Sequence, residues 1–141
     1  MIILSVDYGG KRTGIAVCDK LEMLASPVTV ITEWNKEALA EKIIQLANEK
    51  KAEEIVIGLP KNMDGSQGFR ADACKELGEV ISSKSNISVS FWDERLTTVS
   101  AHRILSENNV RGKKRKSVVD ALAAELILQD YIEARKQQGL R

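Results

Sequence analysis

The first fourteen residues constrain the fold most. Residues 2–6, Ile-Ile-Leu-Ser-Val, form an apolar run broken only by Ser5, the mark of a strand buried on both faces. Asp7 stands where that strand is expected to stop, and the residues up to Gly14 read as a glycine-rich, basic turn. Residues 14–19 form a second strand, so the chain opens with a hairpin that carries a carboxylate at its open end. The later segments can then be judged by what they bring to Asp7.

Residues 27–31 are rich in β-formers and predict a third strand, with Pro27 at its start, where a missing N–H is tolerated. Residues 35–50 predict a helix with Leu39, Ile43, Leu46 and Ala47 on one face. Residues 54–58 are a short buried strand ended by Gly58-Leu59-Pro60, and the loop 61–67 holds the turn dipeptide Asp64-Gly65. Phe69, Ala73, Leu77 and Val80 are spaced as the face of a second helix. Residues 87–92 form a strand closed by Asp93-Glu94-Arg95, and Thr97 or Thr98 can cap a third helix through about Glu107, with Ala101, Ile104 and Leu105 inward. A loop over 109–116 precedes a final helix over 117–135, and 137–141 is a polar, frayed tail. The order β-β-β-α-β-α-β-α-α implies an α/β domain with a mixed five-stranded sheet flanked by helices. In open sheets of this kind, sites form where strand ends and the following loops converge.

At 141 residues the chain has room for one domain with a real core. Its net charge of +1 says nothing about nucleic acid, so any electrostatic footprint must be local. No apolar run approaches the roughly 20 residues that span a bilayer, and the start lacks the order of a secretory signal. A cytoplasmic protein without membrane contact is expected. Cys18 and Cys74, far apart in sequence, read as small buried hydrophobes rather than a disulfide framework.

Three acids fall at the ends of buried elements: Asp7 after the first strand, Glu94 (with Asp93 beside it) after the last, and Asp120 in the first turn of the final helix. Hard divalent cations accept carboxylates from separate elements and keep waters or substrate phosphates as further ligands. Two such ions about 4 Å apart can activate water and stabilise the leaving oxygen in phosphodiester cleavage. Each acid also has a plainer explanation. Asp7 can cap the turn that follows it. Asp93 or Glu94 can pair with Arg95. Asp120 fits a variant capping box with Ser117 as N-cap. What favours a site is their joint placement, one acid per element end. Ala121, Ala123 and Ala124 add a low-profile side near Asp120, which would let the helix lie close to the sheet.

The glycines after Asp7 would let a phosphate backbone approach, with Lys11-Arg12 to hold it; a solvated hairpin tip explains the same residues. Gly9 and Gly14 have the outer spacing of a P-loop, but Ile15 stands where its lysine must be, which excludes one. Arg111-Gly-Lys-Lys-Arg-Lys116 is the densest positive patch and lies a few residues before Asp120, as suits a phosphate-holding rim. The single histidine, His102, gives no basis for a zinc site. Trp34 and Trp92 could stack on bases, although single aromatics more often belong to core or rim.

Four stretches resemble the YqgF (RuvX) family: Val6-Asp7-Tyr8-Gly9-Gly10-Lys11-Arg12-Thr13-Gly14-Ile15-Ala16-Val17; Gly58-Leu59-Pro60 with Asp64-Gly65-Ser66; Asp93-Glu94-Arg95-Leu96-Thr97-Thr98; and Asp120-Ala121-Leu122-Ala123-Ala124. They occur in family order across nearly the whole chain. The resemblance implies a ribonuclease H-like fold, kinship with Holliday-junction resolvases, and a nuclease that matures the 5′ end of pre-16S ribosomal RNA. It implies Asp7, Glu94 and Asp120 as catalytic ligands of Mg²⁺ or Mn²⁺. The nucleic-acid contacts would be Gly9, Lys11, Arg12, Arg95, Arg111, Lys113, Lys114, Arg115 and Lys116. Two positions depart from the related resolvases. Ser117 stands where those enzymes carry a second acid in the final helix, and Gly58-Leu59-Pro60 replaces an acid-bearing strand end, so Glu94 would have to substitute. The expected partners are RNA or branched DNA, bound by a monomer or a weak homodimer. A Holliday-junction-resolvase-like DNA nuclease and a non-catalytic, nucleic-acid-binding assembly factor are the alternatives. An ATP-binding role would need a second domain for which the chain has no room.

Overall fold

A computed structural model describes residues 1–60, 68–94 and 112–139, with side chains at all of these except 68–69 and 112–120. The elements are β1 (Ile3–Gly9), β2 (Arg12–Cys18), β3 (Ala25–Thr32), α1 (Lys36–Lys50), β4 (Glu54–Leu59), α2 (Gly68–Lys84), β5 (Ser88–Asp93) and α3 (Gly112–Gln137). The helix expected over 97–107, with Arg95, His102 and Arg111, lies outside the described residues, as does the Asp64-Gly65 turn. The strands form one sheet in the order β3-β2-β1-β4-β5. The β1–β2 and β2–β3 pairs are antiparallel, and the β1–β4 and β4–β5 pairs are parallel. The fold is thus the mixed five-stranded α/β sheet that the element order implies. No helix among the described residues is long and apolar enough to cross a membrane.

Strand alternation splits the core into two layers. Leu4, Val6, Ile15, Ile55 and Ile57 face α1 and α2, meeting Leu39, Ile43, Leu77 and Ile81. Ile3, Ala16, Cys18 and Val56 face α3, meeting Ala124, Leu128 and Ile132. The α3 face carries the smaller side chains. That lets the helix settle close enough for the buried Ser5 hydroxyl to donate to the Ala124 carbonyl at 2.7 Å. The α1 helix begins one residue after the expected start: Asn35 is its N-cap, and its Oδ1 accepts from the Ala38 N–H at 2.9 Å.

Four local expectations need correction. β1 does not stop at Asp7; it continues to Gly9, held by the antiparallel pairs Asp7–Gly14, Tyr8–Thr13 and Gly9–Arg12. Pro27 is the third residue of its strand and sits at a register shift of the β2–β3 pair, an irregularity on an edge where its missing donor costs little. The α2 stripe is Ala71, Cys74, Leu77 and Ile81, with Val80 only partly buried against it. The final helix starts at Gly112, so Ser117 is not its N-cap, Asp120 lies in its third turn, and Lys113–Lys116 belong to the helix rather than a loop.

Candidate active site

The parallel strands β1, β4 and β5 end along one edge of the sheet. The last β1–β4 pair is Val6–Ile57 and the last β4–β5 pair is Leu59–Asp93. Asp7 is thus the first β1 residue beyond its parallel neighbour, and Glu94 the first residue beyond β5. The two carboxylates come together in one cavity of about 210 Å³, lined by Asp7, Tyr8, Gly58, Pro60, Arg70, Cys74 and Glu94. Asp93 does not line it; strand alternation gives the α3 face to Trp92 and Glu94 instead. Asp7 and Glu94 are both half-buried. The cross-strand partner of Asp7 is Gly14, which leaves that part of the face without a side chain.

Gly58 gives this corner its shape. A Cβ there would lie 2.6 Å from Cδ1 of Ile127 and 3.5 Å from Cγ of Glu94. With no side chain at 58, Ile127 of α3 packs onto β4 and the Glu94 stem occupies the space beside it. The strand end that lacks an acid of its own is therefore filled from the neighbouring strand. Gly58→Ala is expected to destabilise the fold by about 1–3 kcal/mol through overpacking, because Ile127 is 2% exposed and has little room to move. Ile127→Val removes the clashing methyl, so the double variant should be more stable than the sum of the two single losses. Urea midpoints check this; strict additivity would mean that the two side chains do not meet.

Cys74 senses the charge of the cavity. Burial pushes its thiol up, and the nearby Asp7 and Glu94 carboxylates push it further, to about 11. At neutral pH it is a thiol, not a thiolate, and it is no nucleophile. Arg70, exposed at the rim, supplies a positive group that sequence reasoning did not single out. Neither Arg70 nor Cys74 carries a motif signal, since both reach the cavity through the register of α2. Among the described residues no cluster of three or more His, Cys, Asp or Glu could hold a metal ion. Position 120, the expected third carboxylate, lies on α3 one turn before Ala124, and its side chain is not among those described.

The hairpin glycines have structural causes. A Cβ on Gly9 would fall 2.4 Å from the Arg12 carbonyl oxygen, and Gly10 has φ +81°. The Gly10-Lys11 turn is thus a two-residue hairpin connection that needs glycine at its first position. Its tip brings Lys11 and Arg12 to the same edge of the sheet as Asp7.

A mixed sheet in this order, crossed by one close helix and bearing two carboxylates at the ends of its parallel strands, defines an α/β domain of the ribonuclease H-like class. RuvC of Thermus thermophilus, solved in complex with a Holliday junction substrate, matches 95% of this chain and 96% of its own at 13% identity, with a TM-score of 0.59. The fowlpox virus Holliday junction resolvase matches 95% and 99% at 14% identity, with a TM-score of 0.54. These likenesses establish the fold. A family model, RuvX, described as Holliday junction resolvase, matches residues 1–134, and the chain belongs to that family. A relative from Clostridium botulinum is 44% identical over 94% of this chain and 97% of its own length. Another from Halothermothrix orenii is 44% identical over 94% of both. Both are named as candidate pre-16S rRNA nucleases.

Proposed function

We propose that this chain is a metal-dependent phosphodiesterase acting on structured RNA, in maturation of the 5′ end of pre-16S ribosomal RNA. The observation that carries the reading is the shared cavity of Asp7 and Glu94 at the ends of β1 and β5. Its lining is richer in carboxylate oxygen than in sulfur or imidazole, which suits a hard cation such as Mg²⁺ or Mn²⁺.

Asp120 is the proposed third ligand. The support is a matter of length along two elements that run in opposite directions. Ser5 meets α3 at Ala124, and Met1 meets the Glu22–Arg135 pair near the other end of the helix. Asp7 is two strand residues beyond Ser5, about 7 Å. Position 120 is four helix residues beyond Ala124, about 6 Å in the same direction. Backbone positions 7 and 120 on this count lie at about one level, which supports the reading.

Asp7, Glu94 and Asp120 would hold the ion, which when bound supplies Lewis-acid stabilisation of a phosphoryl oxygen and a more acidic water. Arg70 faces the cavity and would orient a phosphate by charge-assisted hydrogen bonds. Tyr8 and Pro60 wall the cavity. The nucleic-acid contacts proposed around it are Gly9, Lys11 and Arg12 at the hairpin, Arg95 after β5, and Arg111, Lys113, Lys114, Arg115 and Lys116. The first turns of α3 carry a run of cations and no acid in the first turn, which opposes the positive end of the helix dipole. A bound phosphate backbone would relieve that conflict. Neutralising Lys113, Lys114 and Arg115 together should weaken RNA binding and reduce the salt slope of log K by about 2, counting roughly 0.7 per lost single-strand contact. An unchanged slope would remove that stretch from the interface.

The test is cleavage of a 5′-extended 16S precursor fragment beside a four-way DNA junction, with Mg²⁺ or Mn²⁺ and with EDTA. Metal-dependent release of the 5′ extension is expected. Cleavage of the junction alone would make the protein a DNA resolvase, and binding without cleavage of either would make it an assembly factor.

A further inference from the structure

Trp34 is 71% exposed, an unusual position for the largest apolar side chain in a protein with only two tryptophans. It follows the end of β3, whose last pair, Thr32 with Arg12, lies at the base of the hairpin turn. The indole lies against that turn: Cζ3 is 3.7 Å from where a Cβ on Gly10 would stand. Both neighbours of Trp34 are fixed. The Glu33 N–H donates to the Lys11 carbonyl at 2.9 Å. The Glu33 carboxylate accepts from the Asn35 N–H at 3.1 Å and from Lys42 Nζ at 2.9 Å, and Asn35 caps α1. The backbone thus holds the ring in water beside a glycine. Lys11 and Arg12 follow Gly10 in the same hairpin, and the turn is continuous with the cavity through Tyr8 and Asp7.

An exposed indole against a hairpin turn that carries two basic residues fits one kind of ligand group well, an unpaired nucleobase whose phosphates meet the charges. Bases inside a duplex have their faces covered by their neighbours and offer no such surface. We propose that Trp34 is a stacking platform for an unpaired base of the RNA strand that enters the Asp7 cavity, with Lys11 and Arg12 gripping the adjoining phosphates. From Asp7 to Gly10 is three strand residues, about 10 Å, so the stacked base lies close to the phosphate presented to the carboxylates. This rests on the nucleic-acid reading of the cavity. It adds a preference that the carboxylates cannot supply: the substrate is single-stranded on the Trp34 side of the cleavage point.

The test is binding of a short fluorescein-labelled oligouridylate in EDTA, where no cleavage interferes, followed by anisotropy. Trp34→Ala is expected to weaken binding about 5- to 150-fold, the equivalent of one lost stack. Trp34→Phe should restore most of it, and a blunt RNA duplex should bind both proteins within about twofold. Tryptophan emission should be quenched by the oligonucleotide in wild type and not in Trp34→Phe, where only Trp92 remains. Equal affinities of wild type and Trp34→Ala, equal losses on single strand and duplex, or no binding by the wild type would each overturn the proposal. Asp7→Asn, measured alongside, separates this from the catalytic reading. If Trp34 matters for binding but Asp7→Asn still cleaves, the platform stands and the catalytic assignment fails. If Asp7→Asn is inactive and Trp34→Ala binds normally, the reverse holds.

Discussion

Replacing Asp7 by Asn is expected to lower metal-dependent cleavage by more than about a hundredfold while leaving the fold intact. Loss of a group that only supports a metal ligand already costs about 10- to 100-fold, and loss of a ligand should exceed that. The substitution keeps the size of the side chain, and Asp7 is only half-buried, so a large change in melting temperature is not expected. A second result should accompany the first, independent of activity. The Cys74 thiol is raised to about 11 by burial and then by the charges of Asp7 and Glu94. Burial remains in the variant, but one of the two charges is gone. The Cys74 titration should therefore move down, which alkylation rate against pH, followed by mass spectrometry of the Cys74 peptide, can measure. Mg²⁺ or Mn²⁺ bound beside these carboxylates should move it the same way in the wild type. Cleavage lost with Cys74 unmoved would mean that the Asp7 carboxylate does not face the cavity. Cys74 moved with cleavage undiminished would leave the geometry standing and remove Asp7 from the chemistry.

Much of this edge of the sheet was legible in the sequence because strand ends are. An apolar run followed by an acid marks a carboxylate at the edge of the core, and both Asp7 and Glu94 carry that mark. What the sequence concealed was how Asp7 reaches the edge. Pairing with β2 carries β1 on through Tyr8 and Gly9, and only the partnership with β4 ends at Val6. Asp7 is therefore a mid-strand residue with a rigid backbone on one side and open space on the other. Arg70 and Cys74 were illegible for a different reason. Their place depends on which stripe of α2 turns inward, and Gly78 decides part of that. A Cβ at 78 would lie 2.6 Å from Cζ of Phe91, so the helix meets β5 through a residue that hydrophobic spacing does not count.

The helix ends show where local signals lose. The start of α1 was legible to within one residue, where the Asn35 side chain does the capping itself. The start of α3 was not, because Gly112 to Lys116 has no apolar periodicity and Ser117 offers a plausible cap. Lysine and arginine are good helix formers, and they extend the helix about a turn and a half beyond the point where its buried face begins to matter. The consequence for function is positional: the basic residues belong to a helical backbone that leads to position 120, not to a loop.

Glu22 was not singled out at all, yet its replacement should have the largest effect on stability. It lies in the β2–β3 connection with φ 54° and a side chain 4% exposed. Its carboxylate accepts from Arg135 Nε at 2.7 Å and from the Met1 amino group at 3.1 Å. Both partners are remote in sequence, which is why no local pattern announces them. Burial pushes the carboxyl up, but the hydrogen bonds from Arg135 and the amino group outweigh it and hold it below its ordinary value of 4.5. Glu22→Gln is expected to cost about 3 kcal/mol at neutral pH. That is the lower end for a broken buried pair, because Arg135 and the amino group keep 15% and 28% exposure and can recover some hydration. The sign with pH follows from the depressed folded value. The contribution is complete above the ordinary carboxylate range and is lost as pH falls through the folded value. Wild type and Glu22→Gln should therefore differ most near neutrality and converge in acid. Urea unfolding at a series of pH values measures the difference, and a gap that stays constant into acid would mean that the charge is not what Glu22 contributes. The pair ties the far end of α3 to the start of β1, whereas Ser5 and Ala124 fix its middle. At a temperature where both proteins remain folded, cleavage by Glu22→Gln should stay close to wild type, because the Ser5–Ala124 hydrogen bond and the packing of Ala124, Leu128 and Ile132 still hold α3 on the sheet. A tenfold loss of cleavage there would show that the tie from Arg135 also aligns the end of the helix that carries position 120.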